Sequence, residues 1–459
     1  MSLKDFLTNL PEVKKSEQKY RSFKEKLKWT LIMLLAYFFL GVIPLYGLGE
    51  NALQQFEFLS IILGAQFGSL ISLGIGPIVT ASIVLQLLVG SGLLKIDTTK
   101  HEDRIFFQGL QKFLSIFFII FEGLIYVFLG GLSPASGFSP WILVAQLFIG
   151  GILILYMDEV TSKYGFGSGI SLFIAAGVAS QIFISAFSPL TTAGNIAFGS
   201  GQAPVGRIFV FFISLFQGNV LEAVLALSAI LATIAVFFMA VYAQAMKVEI
   251  PLSFGRVRGY GIRWPLSFIY TSNIPVILVA ALLANIQLWS RLLERAGYPL
   301  LGTFSGNVPV SGIVAWLYSP NIIQDILTGN LIGVNILKSI IYILFMIAGS
   351  VIFSIFWVQT SGMDAKTQAR QIMASGLQVP GFRRDERVLE HILNRYIKPL
   401  TVMGAITVGF LAAIADLTGA LSRGTGILLA VMIIYKLYED IAQQHMMDMH
   451  PALRQFMKK

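Results

Sequence analysis

Apolar residues along this chain come in long runs, with polar and charged residues gathered between them. A helix needs roughly 20 mostly apolar residues to cross the hydrocarbon core. Ten runs meet that need, at about 29–48, 74–93, 106–130, 140–160, 168–187, 217–244, 265–288, 334–358, 399–416 and 425–443. The pattern predicts an all-α membrane protein of ten transmembrane helices. One further stretch, 53–70, is apolar but broken by glycines and polar residues. It is too short to cross, and it must turn back if the next run is to cross, so it reads as a re-entrant segment. The run after it opens Gly74-Ile75-Gly76-Pro77. The proline removes a backbone donor and the glycines add freedom. Either an ordinary proline kink or a helix that begins at mid-membrane depth beside an aqueous cavity would account for this opening.

Composition strengthens the membrane reading. Of the 459 residues 56% are apolar and 12% charged, and the mean hydropathy is +0.75. A soluble domain carries about twice that charged fraction. Cysteine is absent, which excludes disulfides, iron–sulfur clusters and thiol nucleophiles. The first 28 residues are polar and charged, so no cleavable signal peptide is expected, and the run from Trp29 reads as a permanent span.

The basic residues set an orientation. With the N-terminus in the cytoplasm, 28 of the 33 lysines and arginines fall on the cytoplasmic side; Arg207, Arg291, Arg295, Lys338 and Arg423 remain outside. This predicts a multi-pass protein of the cell membrane with both termini cytoplasmic. The chain also divides into halves, 1–200 and 201–459, of five spans each. An odd number makes the second half start on the opposite side, the arrangement of an inverted repeat. Two echoes agree: Ile75–Val79 (IGPIV) in span two resembles Asn273–Ile277 (NIPVI) in span seven, and Gly167–Ile170 (GSGI) in span five resembles Gly424–Ile427 (GTGI) in span ten.

Little in the chain suggests catalysis. Gly165-Phe-Gly-Ser-Gly169 looks like a phosphate loop, but it follows no strand and lacks the Lys-Ser/Thr of a nucleotide loop. A flexible opening to span five accounts for it better. The four histidines form no metal-spaced pair. Glu122 is the clearest ionisable residue inside a span, a default functional candidate that could equally face a partner helix. The loops between spans six and seven and between spans eight and nine are long and basic. Lipid headgroups would explain that charge, and so would a large polyanion such as a ribosome.

The segments GIGPIVTASIVLQLLVGSG, ILYMDEVTSKYGFGSGISLFIAAG, VEIPL, YTSNIPVILVAALLANIQLW and GFRRDERVLEHILNRYIKPLTVMGA resemble the SecY family in its archaeal form, over essentially the whole chain. That resemblance implies a passive protein-conducting channel, the pore subunit of the Sec translocon. Such a channel moves polypeptides across the membrane and releases hydrophobic segments sideways through a lateral gate. It implies a pore ring of Ile75, Val79, Ile170, Ile174, Ile277 and Leu429. It implies a re-entrant plug helix within 53–70, made by Glu57, Phe58, Leu59, Ser60, Ile61, Ile62, Leu63, Gly64, Ala65, Gln66 and Phe67. Thr80, Gln111 and Asn273 match the gate's polar positions, and Arg256, Arg258, Arg383 and Arg384 the ribosome-binding ones. The implied partners are a SecE-type γ subunit, a small β subunit of SecG or Sec β type, the ribosome, signal sequences and nascent polypeptides, and membrane lipid. No nucleotide, cofactor, metal or enzymatic activity is expected. The alternative from the residues alone is an inverted-repeat secondary transporter of small solutes.

Overall fold

The structure is a computed structural model, and it describes residues 7, 10–14, 21–51, 63–94, 96, 101–191, 195–197, 202–254, 261–306, 308–329, 332–374, 377–378 and 385–449. Helices dominate. The first half holds α1 (Phe23–Val42), α2 (Gly76–Gly90), α3 (His101–Phe128), α4 (Pro140–Tyr164) and α5 (Gly169–Phe187). The second holds α6 (Arg207–Phe216), α7 (Val220–Ala245), α8 (Ile274–Arg295), the short α9 (Gly312–Trp316) and α10 (Ile322–Leu327), α11 (Gly333–Thr360), α12 (Ala365–Ala374), α13 (Glu386–Leu417) and α14 (Gly424–Met449). The ten expected spans correspond to α1–α5, α7, α8, α11, α13 and α14.

Three differences from the sequence expectation have local causes. The sixth span is preceded by a separate helix, α6, because Gly218 turns the chain at φ +75. The ninth span begins 13 residues earlier than Pro399. There, Leu389, Leu393 and Ile397 bury against α12 and the adjacent sheet, so packing carries the helix through the proline. At 15 residues α2 is short for a span, because it starts at depth.

The loop between spans six and seven is a hairpin of β3 (Lys247–Phe254) and β4 (Gly261–Ser267), paired from Lys247↔Ser267 to Ser253↔Gly261. β7 (Leu377–Gln378), from the loop between spans eight and nine, adds to β3 at Ser253↔Gln378. The two basic loops thus form one unit over their own apolar core. Pro265 lies on the edge strand β4, where a missing donor does no harm. On the opposite face β1 (Leu48–Asn51) pairs with β2 (Leu132–Pro134), and β5 (Phe304–Ser305) with β6 (Val308–Pro309).

The halves repeat each other in packing and in backbone. In the first, α2 packs on α3, α3 on α4, α4 on α5, and α1 on α4 and α5. In the second, α8 packs on α11, α11 on α13, α13 on α14, and α7 on α13 and α14. The start of α2 matches the start of α8. Gly74 (φ +54) and Ser272 (φ +57) are left-handed, and Ser272 is the one such non-glycine among the described residues. The residues that follow, Ile75 (φ −86, ψ −4) and Asn273 (φ −90, ψ −8), are N-caps with helical dihedrals. Gly74 N–H donates to Ile71 O at 3.0 Å and Ser272 N–H to Ile269 O at 3.1 Å. The last helices match as well. Asp158 of α4 accepts from the Ile170 amide at 3.0 Å, and Asp416 of α13 from the Thr425 amide at 2.7 Å. Each carboxylate faces the positive end of a helix.

The segment before α2 departs from the expected plug helix. Residues 52–62 lie outside the described residues, and 63–75 is a series of tight turns with no helix. Gly64, Gly68 and Gly74 all have positive φ, which a right-handed helix cannot contain. The turns are tied back to the end of α1: Leu45 N–H donates to Gly68 O and Leu70 N–H to Ile43 O, both at 2.9 Å. Ser72, fully buried, accepts from Gly68 N–H at 2.9 Å and donates to Ser69 O at 2.5 Å.

A Cβ on Gly74 would lie 2.3 Å from Leu63 O, in a conformation L-residues avoid. Gly74→Ala should therefore destabilise the protein by about 1–2 kcal/mol from its dihedral alone, with the clash in addition. Ser272→Gly, relieved of the same dihedral, should be neutral or stabilising. Thermal unfolding of the purified protein checks both, and equal effects at the two sites would contradict the matched backbone.

Candidate functional site

The two proline-led helix starts meet at the centre of the molecule. Ile75, Val79, Ile174, Ile277 and Leu429 belong to one buried apolar cluster, and Ile170, partly buried, packs against it. They come from α2, α5, α8 and α14. Ile75 and Val79 stand one turn apart on α2, Ile170 and Ile174 one turn apart on α5. The pattern follows from the starts of the helices: each proline-led start turns the first apolar residues of its helix inward. Branched aliphatic side chains offer a passing molecule no hydrogen bond, so such a constriction is indifferent to chemistry while it excludes water and ions.

The turn segment abuts this constriction directly. Ile75 N–H donates to Leu63 O at 2.7 Å. Leu63 and Ala65 are buried in a second cluster with Ile119 of α3, Leu143 and Leu147 of α4, and Ala284 and Leu288 of α8. Of the residues assigned to the plug, Leu63 to Phe67 are in place here; Glu57 to Ile62 lie outside the described residues.

The three residues matched to the gate do not come together. Thr80, 6% exposed, is the centre of a polar cluster without Gln111 or Asn273. Its hydroxyl lies 2.9 Å from Glu122 Oε1 and accepts from Asn285 Nδ2 at 2.9 Å. Asn285 is on α8, so this bond joins the two halves where α2 packs against α8 and α11. Gln111 instead donates to Ser82 Oγ at 2.8 Å, tying α3 to α2 within the first half. Asn273 accepts from Ser272 Oγ at 3.0 Å at the start of α8. Glu122 stood out in the sequence as a buried charge without an assigned partner. Asn285 did not, although it is a lone amide within the apolar run AALLANIQLW.

On the face that carries the basic loops, ion pairs hold elements together. Lys247 of β3 pairs with Glu439 of α14 at 2.9 Å, and the hydrogen bond it donates to that carboxylate raises the lysine's pKa. Arg370 of α12 pairs with Glu386 of α13 at 2.7 Å. Arg256, Arg258, Arg383 and Arg384 lie outside the described residues. Among the described residues no group of three or more histidines, aspartates and glutamates is placed to hold a metal.

A ten-helix bundle in two inverted halves, closed at its centre by aliphatic side chains and abutted by a re-entrant segment, defines an integral membrane protein of the channel class. The family described as SecY matches residues 69–438, and the plug domain of Sec61p matches residues 35–68. The chain is 47% identical to the protein translocase subunit SecY of Methanothermobacter thermautotrophicus, over 98% of this chain and 96% of that one. Among solved structures it resembles one described as "The structure of a protein conducting channel", with 42% identity, TM-score 0.84, and 98% and 99% of the two chains covered. It also resembles one described as "Sec61 in the Canine ribosome-channel complex from the endoplasmic reticulum", with 42% identity, TM-score 0.80, and the same coverage. The chain belongs to the SecY family.

The bond between Asn285 and Thr80 should couple the halves. In a double-mutant cycle of Thr80→Ala and Asn285→Ala, the coupling should be about 1 kcal/mol. Denaturation in detergent measures it. Additive effects would remove this bond from the closed seam.

Proposed function

We propose that this chain is the pore of a protein-conducting channel, closed in the state described above. The observation that carries the reading is the contact of Ile75 N–H with Leu63 O, where a re-entrant segment meets a constriction built from both halves. On this reading Ile75, Val79, Ile170, Ile174, Ile277 and Leu429 form the pore ring, and the segment 57–67 is a removable plug. Residues 1–200 and 201–459 act as two halves that part at the seam of α2 and α3 with α8 and α11. Hydrophobic segments leave there into lipid. The Thr80–Glu122–Asn285 cluster spans that seam, and its hydrogen bonds favour the closed seam until a hydrophobic segment replaces them. A small-solute transporter needs a few placed polar groups at its constriction, whereas this one is lined by aliphatic side chains.

The channel performs no catalysis of its own. Its basic face is cytoplasmic, together with both termini, in the cell membrane. The ribosome docks on the joined loops, with Arg256, Arg258, Arg383 and Arg384 making phosphate contacts. A SecE-type γ subunit and a small β subunit complete the complex. A relative described within a ribosome–channel complex, and the shared sheet of the two basic loops, support the docking face.

Two measurements test the reading. Replacing Ile75 and Ile277 with Ser should make the ring wettable and raise ion conductance of the idle reconstituted complex, while translocation persists. Deletion of residues 57–67 should leak as well, and the combination should leak more than either change alone. A combined variant as silent as the parent would place the barrier elsewhere.

Charge reversal at Arg256, Arg258, Arg383 and Arg384 should weaken ribosome binding and flatten its salt dependence, by about one unit of log–log slope per lost phosphate contact. Idle conductance should stay unchanged. Full ribosome affinity in the fourfold reversal would return these residues to a lipid-facing role.

A further inference from the structure

Directly beside the ring, toward the basic face, lies a small cavity. Three of the elements that build the ring also wall it: the start of α5 with Ser168 and Ser171, the start of α8 with Asn273, and α14 with Ile433, Lys436 and Asp440. Asn273 stands one turn before Ile277, Ser171 is adjacent to Ile170, and Ile433 lies one turn beyond Leu429. A chain threaded through the ring from the basic face passes this cavity first.

Asn273 is 6% exposed, and it occupies the N-cap position of α8 without capping it. Its Oδ1 is satisfied by Ser272, while its Nδ2 has no hydrogen-bond partner. Buried donors are almost always paired, and one that is not costs stability. The residue before it, Ser272, carries the one left-handed non-glycine backbone among the described residues. Two unfavourable features on neighbouring residues at the mouth of a pore point to a ligand that this donor awaits. The ligand must supply an acceptor. It need not be charged, since Lys436 and Asp440 face each other across 3.4 Å and leave the cavity without net charge. A neutral acceptor present at every residue of every substrate is the peptide carbonyl.

We propose that Asn273 Nδ2 donates a hydrogen bond to a backbone carbonyl of the polypeptide entering the ring, and holds that stretch extended. The inference rests on the chain's being a polypeptide pore. The contact is independent of sequence, as the ring is, but unlike the ring it fixes a register: in an extended chain successive side chains point to opposite sides.

The chain has no cysteine, so a single introduced one reports cleanly. Ribosome-bound translocation intermediates, each with one cysteine at successive positions, would be oxidised against Ser171→Cys in the assembled complex. Disulfide yield should alternate between odd and even positions by about fivefold, the preference one net hydrogen bond supports. In Asn273→Asp, which keeps the shape and replaces the donor with an acceptor, and in Asn273→Ala, the alternation should vanish. Uniform yield with Asn273 intact overturns the proposal, and that result needs no variant of Asn273 to assemble. Alternation that persists in both variants overturns the role of Nδ2. Cross-links to Ile277→Cys report passage through the ring separately. Their absence throughout would overturn the pore reading itself.

Discussion

A backbone amide inside hydrocarbon must find a partner, and the centre of this protein is organised around that requirement. Two helices, α2 and α8, begin away from the surface, where their first amides cannot reach bulk water. The fold supplies the same remedy twice. A left-handed residue bends the chain, the amide of that residue bonds three residues back, and a proline near the first position removes a donor that would otherwise be free. In the first half the Ile75 N–H is taken by Leu63 O. That bond ties the segment before α2 to the central apolar cluster.

With its starts fixed in this way, the constriction follows from helix periodicity. The residues two after each proline, Val79 and Ile277, join the central cluster, and α5 and α14 close it from the other side. Each of these closing helices is anchored by a carboxylate from the helix before it, Asp158 or Asp416. Dispersion and apolar burial hold this cluster together without directional bonds. A hydrogen bond joins the halves between Asn285 and Thr80.

Much of this was legible in the sequence. Apolar run lengths placed all ten spans, because a span must bury its backbone within itself and so leaves a long signature. The resemblance implies the pore ring, and the paired proline echoes place two of its residues, Val79 and Ile277, at equal offsets. Of the three residues that the resemblance matches to the gate, Thr80 bonds with Glu122 and Asn285 rather than with Gln111 or Asn273. Which polar residues meet depends on how helices from different halves are rotated, and single-helix periodicity does not encode that. The hairpin of β3 and β4 escaped because its prolines, Pro251 and Pro265, speak against strands unless the edges are known. The resemblance implies a plug helix within 53–70, whereas the described residues 63–75 are turns, with left-handed backbone at Gly64, Gly68 and Gly74.

The repeat extends into the connections that lead into α2 and α8. In the first half the residue after α1, Ile43, accepts from Leu70 N–H, four residues before Gly74. In the second the residue after α7, Met246, accepts from Phe268 N–H, four residues before Ser272. Both connections therefore start as the chain folding back antiparallel on itself, and they end in the same helix start. In the second half the pairing runs on as β3 and β4. In the first it stops at one bridge, Pro44↔Ser69, and Leu45, Leu63 and Ala65 pack inward with residues of α3, α4 and α8. Inversion puts these equivalent connections on opposite sides of the membrane. The described part of the first connection packs inward through apolar side chains, and the second joins the other basic loop in one sheet.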